Sequence, residues 1–185
     1  MTRWVAQLSL EEGATLEGLP GTAGRHLAGS VGGGDATWDM VGARLPDPGV
    51  RGVRVVDAVA LALLCSARVS LDGARVKRTL LLRVRTGTPP EVQEQFESEL
   101  AALPRHVAAI RSWALSRVDH SLAPSRWTHV WEQEYESVDG LRGDYMRSPY
   151  HWAGIDRWFD GEVPRSIVEP EIAHVFYTAA GPVLS

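Results

Sequence analysis

The clearest pattern lies in the second half of the chain. From Trp127 to Tyr135, residues alternate with a period of two, which predicts a strand. One face carries Trp127, His129, Trp131, Gln133 and Tyr135, and the other Thr128, Val130, Glu132 and Glu134. Upstream, Val76 to Val84 reads as a strand around the run Thr79-Leu80-Leu81-Leu82. Pro89-Pro90 then opens a helix over Glu91 to Ala109, because a proline there forfeits no intrahelical bond, and Phe96, Leu100 and Leu103 recur at helical spacing. Ile110 to Val118 reads as a strand and Ser121 to Pro124 as a turn. Ser137 is a plausible N-cap for a helical stretch that Pro149 interrupts and that resumes from Tyr150 towards Phe159. Ile172 to Ala179 closes the series as a strand.

The order strand, helix, strand, strand, helix, strand is the split βαβ arrangement. It predicts an α+β, ferredoxin-like unit, an antiparallel sheet with both helices on one face. Residues 1–75 echo parts of it. Leu16-Glu17-Gly18-Leu19-Pro20 resembles Leu100-Ala101-Ala102-Leu103-Pro104, and Ala36 to Val41 falls before a turn much as Arg126 to Val130 does. Val50-Arg51-Gly52 echoes Leu141-Arg142-Gly143, and an apolar strand follows almost at once over Val56 to Cys65. The chain therefore reads as a tandem: a degenerate repeat lacking its second helix over 1–75, and an intact repeat over 76–185 that carries the pocket. Asp39 is expected where His129 stands in the other copy. Gly32-Gly33-Gly34 is expected to be a loop, since it neither follows a strand nor opens a helix as a phosphate cradle would.

Composition narrows the classes. The 185 residues carry a formal charge of -4, which disfavours non-specific nucleic-acid binding. No apolar run is long enough to span a bilayer, and no secretory leader is expected at Met1-Thr2-Arg3-Trp4. A single cysteine, Cys65, excludes an internal disulfide and points to the cytoplasm. Lys77 is the only lysine and asparagine is absent, a bias that a GC-rich bacterial genome explains. Five of the seven tryptophans fall between Trp113 and Trp158, and that is where chemistry is sought.

In this region, Trp127-Thr128-His129-Val130, Tyr135-Glu136-Ser137-Val138, Asp144-Tyr145, Pro149-Tyr150-His151 and Phe176-Tyr177-Thr178 resemble the stress-responsive α/β-barrel (Dabb) family over Val76 to Ala180. The family includes polyketide cyclases that close a linear chain by an aldol reaction. The resemblance implies a barrel built from two such sheets, contributed by a homodimer or by an intrachain pseudo-dimer. It makes His151 the general base, Tyr145 the hydroxyl that supports the developing oxyanion, and His129 part of the polar lining. An imidazole with a reference pKa of about 6.5 can take a proton from carbon between two carbonyls at neutral pH. Neither a metal nor an organic cofactor is implied, and His129, His151 and His174 lack metal-site spacing.

The chain departs from the family pattern at Arg78, Leu100, Ser148 and Phe176. A different, larger and more aromatic substrate is therefore expected. Its contacts are Arg78, Leu80, Leu82, Phe96, Leu100, Trp127, Trp131, Gln133, Trp152, His174 and Phe176. Arg78 could hold a substrate carboxylate, and blander roles stand beside these: a helix cap for His151, a core aromatic for Tyr145, a satisfied core histidine for His129, and a snorkelling strand-end arginine for Arg78. For function, the first expectation is a cofactor-independent cyclase or related lyase of bacterial secondary metabolism. A non-catalytic, stress-associated binder of hydrophobic ligands and a cofactor-free monooxygenase are the alternatives.

Overall fold

The computed structural model describes residues 1–69 and 73–184. Eight strands share one antiparallel sheet: β1 (Thr2–Leu10), β2 (Thr22–Arg25), β3 (Ala36–Gly42), β4 (Val53–Ala67), β5 (Arg75–Leu82), β6 (Ser112–Val118), β7 (His129–Tyr135) and β8 (Ala173–Ala179). Their lateral order is β2-β3-β1-β4-β6-β7-β5-β8. One helix, α1 (Pro90–Ala102), links β5 to β6, and two π-helical turns, Gly140–Tyr145 and His151–Ile155, lie between β7 and β8. Among the described residues no helix is long and apolar enough to cross a membrane.

The second half runs β8-β5-β7-β6 across the sheet, the ferredoxin-like order expected from its element sequence. The first half runs β4-β1-β3-β2, which is the same permutation. The halves join where β4 pairs with β6, from Leu61 opposite Val118 to Ala67 opposite Trp113. At the other seam the segment after β2 docks on β8. Leu27 donates its backbone N–H to Phe176 O at 2.9 Å, and Val31 and His174 exchange backbone bonds at 2.8 Å. The glycine run is a loop at this seam, with φ of 69°, 73° and 74° at Gly32, Gly33 and Gly34. At Gly33 the positive φ favours glycine, and a Cβ would also press on Gln7 Oε1 at 2.6 Å and Val175 Cγ1 at 2.9 Å.

Several boundaries differ from expectation. Helix α1 stops at Ala102 and tightens into a 3₁₀ turn, Leu103–Arg105, because Pro104 has no N–H to continue the ladder. Strand β7 starts at His129, not Trp127. The first half lacks both crossover helices, not only the second: residues 11–21 and 43–52 are loops. Positive φ at Gly13, Gly18, Gly21, Gly49 and Gly52 turns the chain there, so the Leu16 to Pro20 echo of α1 has no helical counterpart.

Strand register relates the halves residue by residue. Arg3 lies opposite Val41 and Leu61, and Lys77 lies opposite Glu134 and Tyr177. Stepping along each ladder matches Trp38 with Trp131, Asp39 with Glu132 and Ala36 with His129. Asp39 faces into the barrel towards Lys77 and Tyr177, whereas His129 meets Glu97 of α1 on the opposite face. On the face away from the barrel, Trp4, Met40 and Ala58 stand where the second half has Arg78, Gln133 and His174. That face of the first half is apolar, with Trp4, Leu8, Trp38 and Met40 packed beneath loop residues Leu16, Leu19 and Leu45.

The inward face fills the barrel, as eight strands leave room only for side chains. Val5, Val59, Leu81, Val130 and Ala173 form an apolar part. A charge cluster, fully buried except at Arg3, shares the same face. Lys77 Nζ donates to Glu132 Oε1 at 2.8 Å, Thr79 Oγ1 at 2.8 Å and Asp39 Oδ1 at 3.4 Å. Arg3 forks onto Glu132 at 2.8 and 2.9 Å, and the Tyr177 hydroxyl donates to Asp39 Oδ2 at 2.8 Å. Burial alone would raise the Glu132 carboxyl, but the charges and hydrogen bonds of Lys77 and Arg3 pull it down to about 2. Asp39 is held above the usual carboxylate range by burial, with Glu132's charge adding to it.

Candidate active site

The outward face of the second half is covered by α1 and the two π-helical turns. Between sheet and cover lies a cavity of about 250 Å³. Strand periodicity delivers its floor: Arg78 and Leu80 from β5, Trp131 from β7 and His174 from β8. Leu100 enters from α1, while Tyr145 and Met146 enter from the first π turn. His151, Trp152, Ile155, Asp156 and Phe159 enter from the second and the turn that follows, with Ile172 completing the wall. π-helical turns recur at functional sites because the extra residue re-aims side chains. Here Tyr145 ends one such turn and His151 begins the next.

Tyr145 and His151 face one another, with ring centroids 4.4 Å apart at 51°. The His151 backbone N–H reaches Ser148 Oγ at 3.4 Å, while its Nδ1 is buried and has no hydrogen-bond partner among the described residues. Burial lowers the His151 pKa, the Arg78 charge lowers it further, and Asp156 opposes both. The imidazole is thus neutral and able to accept a proton at neutral pH.

Arg78 is not a snorkelling strand-end residue. It sits on a central strand, only 4% exposed. Its Nε donates to His174 Nε2 at 2.6 Å, its Nη1 donates to Gln133 Oε1, and its Cζ lies 4.9 Å from the Tyr145 ring centroid. His174 is consequently held neutral, pushed down to about 3 by burial and then by the Arg78 charge. Gln133 also accepts the Tyr135 hydroxyl at 2.7 Å, and burial raises the Tyr135 phenol well above its ordinary range.

The structure thus gathers His151, Tyr145, Arg78, Leu80, Leu100, Trp131, Trp152 and His174 around one cavity. Six other expected residues lie outside its lining. His129 is buried in a separate contact, with Nε2 2.8 Å from Glu97 Oε1 of α1 and Nδ1 2.8 Å from Thr128 Oγ1. It links strand to helix, and burial lowers its pKa against the opposing pull of Glu97. Trp127 lies before β7 and packs inside the barrel, its Nε1 donating to Asp57 Oδ2 at 2.6 Å, so the expected alternation breaks at its first residue. Leu82 and Phe96 belong to the adjoining core. Gln133 stands behind Arg78, and the Phe176 ring lies 5.9 Å from that of His174. Ile155, Asp156 and Phe159 escaped the sequence reading, although with Trp152 they keep the i, i+3, i+4, i+7 spacing of one helical face. Among the described residues no three His, Cys, Asp or Glu side chains gather closely enough to share a metal ion.

A single sheet with the ferredoxin-like strand order in both halves, and a cavity between sheet and helical cover, defines an α/β-barrel protein. The family model described as Stress responsive A/B Barrel Domain matches residues 76–169, and the chain belongs to that family. Solved structures extend the fold beyond that segment. An anthrone oxidase-like protein is 13% identical with a TM-score of 0.57, covering 100% of this chain and 95% of its own. A putative monooxygenase from Lactobacillus acidophilus is 9% identical with a TM-score of 0.55, covering 100% of this chain and 99% of its own. A dimeric protein of unknown function and ferredoxin-like fold from Bacteroides fragilis is 23% identical with a TM-score of 0.43, over 56% of this chain and 94% of that one. No curated protein matches the sequence.

Proposed function

We propose that this cavity carries out cofactor-independent acid/base chemistry on a carbonyl compound, an aldol-type cyclisation or related lyase reaction on a polyketide-like or aromatic substrate. The observation that carries the reading is the facing pair of His151 and Tyr145, with a buried, unpartnered imidazole nitrogen at an apolar cavity. In this scheme neutral His151 takes a proton from carbon between two carbonyls. The resulting enolate forms a carbon–carbon bond to a second carbonyl carbon, and Tyr145 donates to the alkoxide that develops there. The imidazolium then returns its proton to the product. His129 has no part in these steps, being engaged with Glu97.

The same reading takes residues 1–75 as a worn copy without a site and 76–185 as the working copy. The matched register supports it, since Trp4, Met40 and Ala58 replace Arg78, Gln133 and His174.

The test is turnover of a linear poly-β-keto compound by the protein and by His151→Ala and Tyr145→Phe. Loss of turnover by at least about a hundredfold, with ligand binding retained, is expected for His151→Ala. Unchanged turnover in both variants overturns the scheme. A second reading is oxygenation of an electron-rich phenol without a cofactor. Two whole-chain structural neighbours are named a putative monooxygenase and an anthrone oxidase-like protein, and oxygen consumption in step with product would favour this reading.

A further inference from the structure

Arg78 is buried, yet its neighbours do not neutralise it. Its contacts are a neutral imidazole, an amide oxygen and an aromatic ring. No carboxylate oxygen of the described residues comes within 4.0 Å of its nitrogens. Asp156, the one carboxylate lining the cavity, acts on His151 and is not paired with Arg78. The other buried cations among the described residues follow the opposite rule: Lys77 sits on Glu132 and Arg75 lies 3.7 Å from Glu134. A desolvated guanidinium without a counter-anion is costly, and the cost is recovered when a ligand brings the anion. Trp131, which lines the same cavity, has a buried Nε1 donor with no hydrogen-bond partner among the described residues.

The geometry points to a substrate that carries a carboxylate, held by Arg78 on the cavity floor, with an aromatic or other apolar body against Leu80, Leu100, Trp131 and Trp152. This inference rests on the proposed function only for the location of the site. A planar guanidinium matches a carboxylate's two oxygens. A dianionic phosphate would need several cations, and among the described residues this cavity offers one. The first half supports the assignment by contrast. Trp4 occupies the place of Arg78 there, packed with Trp38 and Met40 in an apolar cluster.

The experiment is binding, which needs no turnover. Benzoate, salicylate and 2-naphthoate are titrated by calorimetry, each beside its neutral carboxamide. In the intact protein, at least one carboxylate binds about tenfold or more tighter than its amide, the margin of a charge-assisted hydrogen bond. Arg78→Met levels the two, and Arg78→Lys keeps part of the difference because the charge remains without the fork. His151→Ala retains the preference, so a failed catalytic scheme and a failed anion site give different results. The inference is overturned if no pair shows a carboxylate preference in the intact protein, or if the preference survives in folded Arg78→Met.

Discussion

Replacing Lys77 with methionine removes one of two cations that serve two buried carboxylates inside the barrel. Glu132 keeps its fork from Arg3, and Asp39 keeps the Tyr177 hydroxyl and a 3.3 Å contact to Arg3. Breaking a buried pair by deleting one partner costs about 3–5 kcal/mol. The surviving contacts place this variant near the lower end, about 3 kcal/mol. For a chain of this size each kcal/mol moves the melting temperature by roughly 2–4 °C, so a fall of about 6–12 °C is expected. The deficit should also depend on pH. With one cation left, Asp39 is raised further above its unfolded value and holds a proton in the folded state. A raised carboxyl contributes stability that is present below its unfolded pKa and lost as pH rises through the folded one. The deficit therefore grows as pH rises above the ordinary carboxylate value, by up to about 1.4 kcal/mol per pH unit. Urea melts across that range measure it, with the slope m as a check that unfolding stays two-state. A deficit under about 1 kcal/mol, or one indifferent to pH, would refute the argument that this cluster is desolvated and charge-balanced.

Two further outcomes separate structure from site. His129→Ala should cost about 1–3 kcal/mol in urea melts, because Glu97 and Thr128 lose a buried partner, while carboxylate binding at the cavity changes less than about twofold. Loss of binding without loss of stability would return His129 to the site. His174 should stay neutral through pH 5–7 in a histidine NMR titration, its folded pKa near 3 set by burial and Arg78. A depressed histidine contributes stability that is present above its unfolded pKa, about 6.5, and lost as pH falls towards the folded value. A midpoint near 6.5 would mean that Arg78 does not face it.

The second half was legible because its two periodicities are strong. Alternation along β7 placed Trp131 and Gln133 on the outward face, and the Phe96 and Leu100 spacing placed α1 over it. Trp127 misled because period two says nothing about where pairing begins. The ladder starts at His129, and the residue before Thr128 turns into the barrel. The π-helical turns were not legible, since an i→i+5 insertion leaves no signature in a short stretch broken by Pro149. In the first half the local echoes suggested a partner for His129 that register does not support. Arg3 with Lys77 and Asp39 with Glu132 keep charge but stand in segments with no local sequence likeness, so they emerge only when the ladders are set side by side. Arg78 as a cation without a counter-anion was likewise invisible, because its isolation depends on what the fold brings near it.

The β4–β6 ladder and the Leu27 to Val31 seam join the two halves through one continuous backbone. When such halves are separate molecules, their encounter is second order, and dilution pulls them apart. Here each half meets the other at an effective concentration set by the short stretch between β4 and β5, of the order of millimolar for short linkers. Closure is therefore first order, and the barrel's integrity does not depend on how much of the protein a cell makes. It also releases the halves from mirroring each other. A substitution at Trp4 or Trp38 alters one side only, so the two outer faces can differ, packed with tryptophan in the first half and lined by a cavity in the second.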